Sequence, residues 1–193
     1  MENAQLAGDV ERLAESLGQL PEPVAKPTLV AVSGLPGTGK SYFSAKLAAR
    51  LPFVILESDA LRKILFPGPT YSAEESTRLF QVVHRLIERL LKKGIPVILD
   101  ATNLSERHRE YLYSIAEHLG IKLILVRMEA PPELVAGRLH QRQERQESNS
   151  DADWTVYQKM RSSIEEIQRR HYVVDTSCDI TLVLDKIVKE VTH

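Results

Sequence analysis

Cysteine is nearly absent: Cys178 is the only one in 193 residues. No internal disulfide can form, and a reducing, cytoplasmic setting is expected. The six histidines are scattered and have no cysteine neighbours, so no transition-metal site is expected. No apolar run is long enough to cross a bilayer, so a membrane partner is not expected either. The opening residues, Met1-Glu2-Asn3-Ala4, lack the basic and apolar stretches of a signal peptide. Neither sign of charge dominates. A net charge of -1 exerts no global pull on nucleic acid or anionic lipid. What is present is ordinary for a globular chain, 43% hydrophobic and 26% charged, and the length suits one domain with a substantial core.

The chain alternates strand and helix signals. Residues 4–20 carry Leu6, Val10, Leu13, Leu17 and Leu20 at helical spacing, until Pro21-Glu22-Pro23 stops them. This helix and its linker, 1–27, read as an appendage packed on the main body; a dimer contact is the alternative. The body, 28–193, starts with the β-branched run Thr28 to Ser33. Further strands are expected at 53–56, 96–100, 122–128 and 172–175. Helices are expected at 40–51, 60–66, 72–94, 105–119, 132–146, from Asp153 through Ile167, and 179–191. Ser72 and Glu75 form a capping-box pair. Such alternation implies an α/β fold with a parallel sheet covered on both faces.

Gly34-Leu35-Pro36-Gly37-Thr38-Gly39-Lys40-Ser41 matches the Walker A pattern throughout. Glycines let backbone N–H groups converge on phosphate oxygens, and the helix that follows adds its positive N-terminal end. Lys40 is suited to the β- and γ-phosphates of ATP, the Ser41 hydroxyl to Mg2+, and Tyr42 adjoins the cradle. A chance glycine-rich turn would not need an apolar strand before it and an amphipathic helix after it.

Neither an Asp-x-x-Gly segment nor an Asn-Lys-x-Asp guanine reader occurs, which disfavours a GTPase. The strand ending at Asp100 runs into Ala101, not into the Asp-Glu of motor ATPases. A small kinase, in which an acceptor hydroxyl attacks ATP, fits better. Three segments support it. In Ser58-Asp59-Ala60-Leu61-Arg62, Asp59 and Arg62 share one face of a helical turn. Asp59 is placed to accept the hydroxyl proton and Arg62 to hold an anionic acceptor; the plainer reading is a helix cap. At the carboxyl end of a strand, where ligands gather, Asp100 is suited to Mg2+ through water, and Thr102 and Asn103 to acceptor or phosphate. The plainer reading is a helix-entry turn. Finally, Arg138, Arg142 and Arg145 share a helix face in a segment, about 132–153, that reads as a lid bringing arginine to the transferring phosphoryl group. The competing reading is a solvated charged helix. The polar run Gln146 to Asp151 offers few apolar anchors, so the lid is expected to move.

These motifs in order, GLPGTGKS, SDALR, LDATNLSERHR and GRLHQR, resemble the P-loop kinase family of the AAA-domain, zeta-toxin and polynucleotide 5′-hydroxyl kinase type, over about residues 28–175. The resemblance implies a nucleoside-monophosphate-kinase-like five-stranded parallel sheet in the order 2-3-1-4-5. It also implies a helical, arginine-bearing lid, with Asp59 as general base, Arg62 on an acceptor phosphate and Arg142 on the transferring group. One departure stands out. The polynucleotide kinases have Asp-Thr-Asn where this chain has Ala101-Thr102-Asn103. Asp100 lies one position earlier, on the opposite side of an extended strand. The expected activity is therefore ATP-dependent phosphorylation of a hydroxyl on a small-molecule or nucleotide-like acceptor, by a monomer or homodimer. A polynucleotide acceptor is the less favoured alternative, and a non-catalytic nucleotide-binding module the third.

Overall fold

The computed structural model describes residues 2–145 and 151–193. Five strands form one parallel sheet: β1 (Thr28–Ser33), β2 (Val54–Glu57), β3 (Val97–Asp100), β4 (Lys122–Glu129) and β5 (Tyr172–Asp175). Their order across the sheet is β2-β3-β1-β4-β5. Side chains alternate between its faces. Leu29 and Ala31 of β1, with Val97 and Leu99 of β3, enter one apolar core; Val30, Val32 and Ile98 enter the other. Both faces are buried, which is why the strands read as unbroken apolar runs instead of alternating ones.

The first core is covered by α1 (Glu2–Ser16), α3 (Ser58–Leu65), α4 (Ala73–Lys92) and α5 (Glu106–Leu119). The second is covered by α2 (Lys40–Ala48) and α8 (Thr181–Thr192). A third, smaller cluster joins α6 (Pro132–Arg145) and α7 (Trp154–Arg161) to the rest: Val135, Leu139 and Tyr157 pack on Leu35 and Leu104.

Several boundaries differ from the sequence reading for local reasons. Helix α1 stops at Ser16 because Gly18 takes a left-handed φ of 66°. Leu17 and Leu20 still pack on the core from the loop. The Ser72 hydroxyl caps α4 by accepting from the Glu75 amide at 3.2 Å. Glu75 does not return the bond to Ser72; its carboxylate accepts from the amides of Thr70 and Tyr71. That makes half of a capping box and pins the preceding loop. Helix α7 ends at Arg161, well short of Ile167. The carbonyls of Glu165 and Glu166 are taken by the buried guanidinium of Arg109, and the Glu165 amide donates to Leu104 O. Ile167 therefore reaches the core from irregular chain.

Candidate active site

All the strands run parallel, so β1, β2 and β3 deliver Ser33, Glu57 and Asp100 to the same edge of the sheet. Beyond β1 the chain turns through the glycine-rich loop into α2. Gly37 and Gly39 have φ values of 79° and 93°, and a Cβ at Gly37 would lie 2.8 Å from Val135. Only glycine fits there. No side chain caps α2, so its first amides carry the positive helix end without a protein acceptor of that kind. Within the loop, Lys40 Nζ donates to Leu35 O at 3.1 Å and Thr38 Oγ1 to the same carbonyl at 2.7 Å.

A cavity of about 700 Å³ opens in front of this loop. Of the expected cradle residues, Pro36, Gly37, Gly39, Lys40, Ser41 and Tyr42 line it. Gly34, Leu35 and Thr38 line a separate cavity behind the loop. Asp59, Arg62, Asp100, Thr102, Arg138 and Arg142 also face the main cavity. The structure thus brings together these residues from four segments of the chain: the P-loop, α3, the end of β3 and α6. Burial works against the charge of Lys40 and lowers its pKa, while Asp100, Asp59 and Glu57 oppose that shift. Burial raises the pKa of Asp100, against the pull of Lys40 and the Ser41 hydroxyl. Asp100 Oδ2 is buried and has no hydrogen-bond partner among the described residues. A divalent cation at the phosphates needs few protein ligands, so Asp100 and Ser41 together fit one.

Asn103 is not brought to the cavity. It adopts a left-handed φ of 46°, and its buried side-chain amide donates to Val32 O at 3.0 Å. Its carbonyl accepts from Ser33 Oγ and Arg109, and the neighbouring Thr102 carbonyl accepts from the Gly34 amide. The Thr102–Asn103 turn therefore stitches the end of β3 to the root of the P-loop, with Thr102 facing the cavity and the Asn103 side chain turned away from it.

Arg62 is buried, yet its Nε and Nη1 have no hydrogen-bond partner among the described residues. Nη2 donates to Ser76 Oγ at 3.2 Å, and Glu75 lies 3.7 Å from Nη1. The Tyr71 ring lies 4.9 Å from the guanidinium carbon. Arg138 donates to Gly37 O at 3.2 Å and to Thr176 Oγ1 at 2.7 Å. Arg142 donates to Ala152 O, and its charge is favoured by Asp59 and Asp151 against the cost of burial. The side chain of Arg145 and the run 146–150 lie outside the described residues.

Some site residues carried no motif. Thr176 follows β5, donates to Thr38 O at 2.9 Å and so ties that strand's end to the P-loop. The rule that sites form at the carboxyl ends of parallel strands was the signal available for it. Tyr71, Ser76, Phe80, His108 and Asp151 also line the cavity. Phe80 stacks on His108 with 5.4 Å between centroids, joining α4 to α5. That contact depends on helix packing, which the sequence does not display.

Comparison with known proteins agrees with this geometry. A family model described as an AAA domain matches residues 29–167. An adenylyl-sulfate kinase of Myxococcus xanthus (strain DK1622) is 28% identical over 111 residues, spanning 55% of this chain and 60% of that protein. The Mycobacterium tuberculosis APS kinase CysC, in complex with AMPPNP and APS, superposes with a TM-score of 0.63 at 18% identity, over 89% of this chain and all of that one (100%). A chain of the Pnkp1/Rnl/Hen1 RNA repair complex superposes with a TM-score of 0.61 at 23% identity, over 74% of this chain and 45% of that one. With the phosphate cradle, the strand order and the family match in agreement, the chain belongs to the AAA-domain family of P-loop, kinase-like proteins.

Proposed function

We propose that the protein transfers the γ-phosphoryl group of ATP to a hydroxyl on a small or nucleotide-like acceptor that also carries an anionic group. The observation that carries this reading is the pairing on α3: Asp59 and Arg62 face one cavity with Lys40, and among the described residues Arg62 Nε and Nη1 have no hydrogen-bond acceptor, Glu75 lying 3.7 Å from Nη1. Buried donors left without hydrogen bonds are costly, and an acceptor's anion would relieve that cost with charge-assisted hydrogen bonds.

In this mechanism the P-loop amides and Lys40 hold the β- and γ-phosphates. Ser41 would hold Mg2+ directly and Asp100 through water; when bound, the ion neutralises phosphate charge. Asp59 takes the proton from the acceptor hydroxyl. The acceptor oxygen bonds to the γ-phosphorus while the bond from that phosphorus to the β,γ-bridging oxygen breaks, and ADP departs. Arg142 faces the charge that develops on the transferring group. Asp151 and Ala152 are two of the residues that line the same cavity, and its volume of about 700 Å³ suits a small acceptor better than a polynucleotide.

The test is a screen of nucleosides, sugars, antibiotics and 5′-hydroxyl oligonucleotides for ATP-dependent phosphate transfer. Asp59→Asn should lower transfer to the best acceptor by roughly two orders of magnitude or more, with ATP affinity little changed. A parallel collapse of ATP binding would remove Asp59 from the role of base. Transfer to oligonucleotides alone would favour the polynucleotide reading, and nucleotide binding without transfer to any acceptor would favour a non-catalytic module.

A further inference from the structure

The lid touches the acceptor side of the cavity at one described point, Asp151. Its carboxylate accepts from Tyr71 Oη at 2.5 Å and from Lys63 Nζ at 2.9 Å. Lys63 stands on α3, one residue beyond Arg62, and Tyr71 stands on the loop before α4. That loop is held firmly. Glu75 accepts from the Thr70 and Tyr71 amides, and Tyr71 keeps a left-handed φ of 57°, which a bulky residue adopts only when its surroundings enforce it. The next residue after Asp151 presents the carbonyl that accepts from Arg142. A continuous path of contacts therefore runs from the wall that carries Arg62, through Tyr71 and Lys63, to Asp151, Ala152 O and Arg142.

We propose that Asp151 and Tyr71 are positioning residues for phosphoryl transfer. By docking the lid onto the acceptor wall, they fix the carbonyl that aims Arg142 at the transferring group. The inference rests on the phosphotransferase reading above. Neither residue touches the phosphates in this scheme; both act through Arg142. The same path lets the acceptor side bear on the catalytic arginine, because the Tyr71 ring also lies against Arg62.

A surface ion pair without such a role would contribute little: Asp151 and Lys63 are both well exposed. The experiment needs a readout that responds to Arg142 and not merely to folding. Mg·ADP reports the ground state, and Mg·ADP with fluoroaluminate mimics the charge of the transferring phosphoryl group; neither needs an identified acceptor. Asp151→Ala and Tyr71→Phe should each weaken fluoroaluminate-complex binding by about tenfold, less than the loss from removing a direct donor, with Mg·ADP affinity unchanged. Arg142→Ala should weaken it further, and adding Asp151→Ala to Arg142→Ala should change nothing more. Acrylamide quenching of Trp154, the single tryptophan and the first residue of α7 directly after the lid, should rise in Asp151→Ala. Full additivity with Arg142→Ala, equal loss of Mg·ADP affinity, or unchanged quenching would overturn the proposal alone. A wild-type protein that binds Mg·ADP but gains nothing from fluoroaluminate would sink the phosphotransferase reading, and this inference with it.

Discussion

Replacing Arg109 probes how the site is held from behind. Its guanidinium is buried and donates to Asn103 O at 2.8 Å, Glu165 O at 3.0 Å and Glu166 O at 2.9 Å, with Glu106 Oε2 at 2.7 Å completing the set. Arg109→Met keeps much of the stem's packing and removes every donor. The Glu165 and Glu166 carbonyls and the Glu106 carboxylate then lose the guanidinium, Asn103 O keeps only Ser33 Oγ, and the loss should fall in the range for breaking a buried charged network, about 3–5 kcal/mol. With a urea slope of about 2–3 kcal/mol/M, the unfolding midpoint should drop by about 1–2.5 M. Urea titrations followed by far-UV circular dichroism and by Trp154 fluorescence measure it. Arg109→Lys should recover only part of the loss, because one ammonium cannot span the directions of the planar fork. A midpoint within about 0.3 M of wild type for Arg109→Met, on that same slope, would show that Ile167 burial alone anchors the segment after α7. The reasoning from the carbonyls would then be wrong.

Other outcomes follow from the same structure. Lys40→Ala should abolish phosphate transfer from radiolabelled ATP while leaving the circular dichroism spectrum intact, since Lys40 alone in this scheme reaches the β- and γ-phosphates from the P-loop. Near-normal turnover would contradict that. His84 has its pKa lowered to about 4, first by burial and then by the charge of His108. The unfolded chain therefore binds a proton there below about pH 6.5 that the folded chain refuses until about pH 4. Stability should fall as pH drops through that window, by up to about 3 kcal/mol from this group. His84→Phe should flatten the fall in urea midpoint between pH 7 and 4.5, and an unchanged slope would assign the acid sensitivity elsewhere.

The sequence by itself determined the alternation of strand and helix, the P-loop, and the candidates Asp59, Arg62, Asp100, Arg138 and Arg142. The physical reason is that these signals are local. A glycine pattern imposes a backbone path, a carboxylate and an arginine three residues apart share a helical face, and apolar runs mark buried strands. The strand order came with the family resemblance, not from the periodicity, because no local pattern says which strands pair. Tertiary structure decided what sequence spacing cannot encode. Asn103, read as a ligand contact, spends its amide on Val32 O because the turn after β3 lies against β1. Helix α7 ends early because the Glu165 amide, which a helix reaching Ile167 would give to Arg161 O, donates to Leu104 O instead, while Arg109 holds the Glu165 and Glu166 carbonyls in place. Arg62 becomes a strong site candidate only once packing buries it and leaves Nε and Nη1 without a hydrogen bond among the described residues. Those bonds join residues far apart in sequence, and their donors and acceptors meet only when both faces of the sheet are covered.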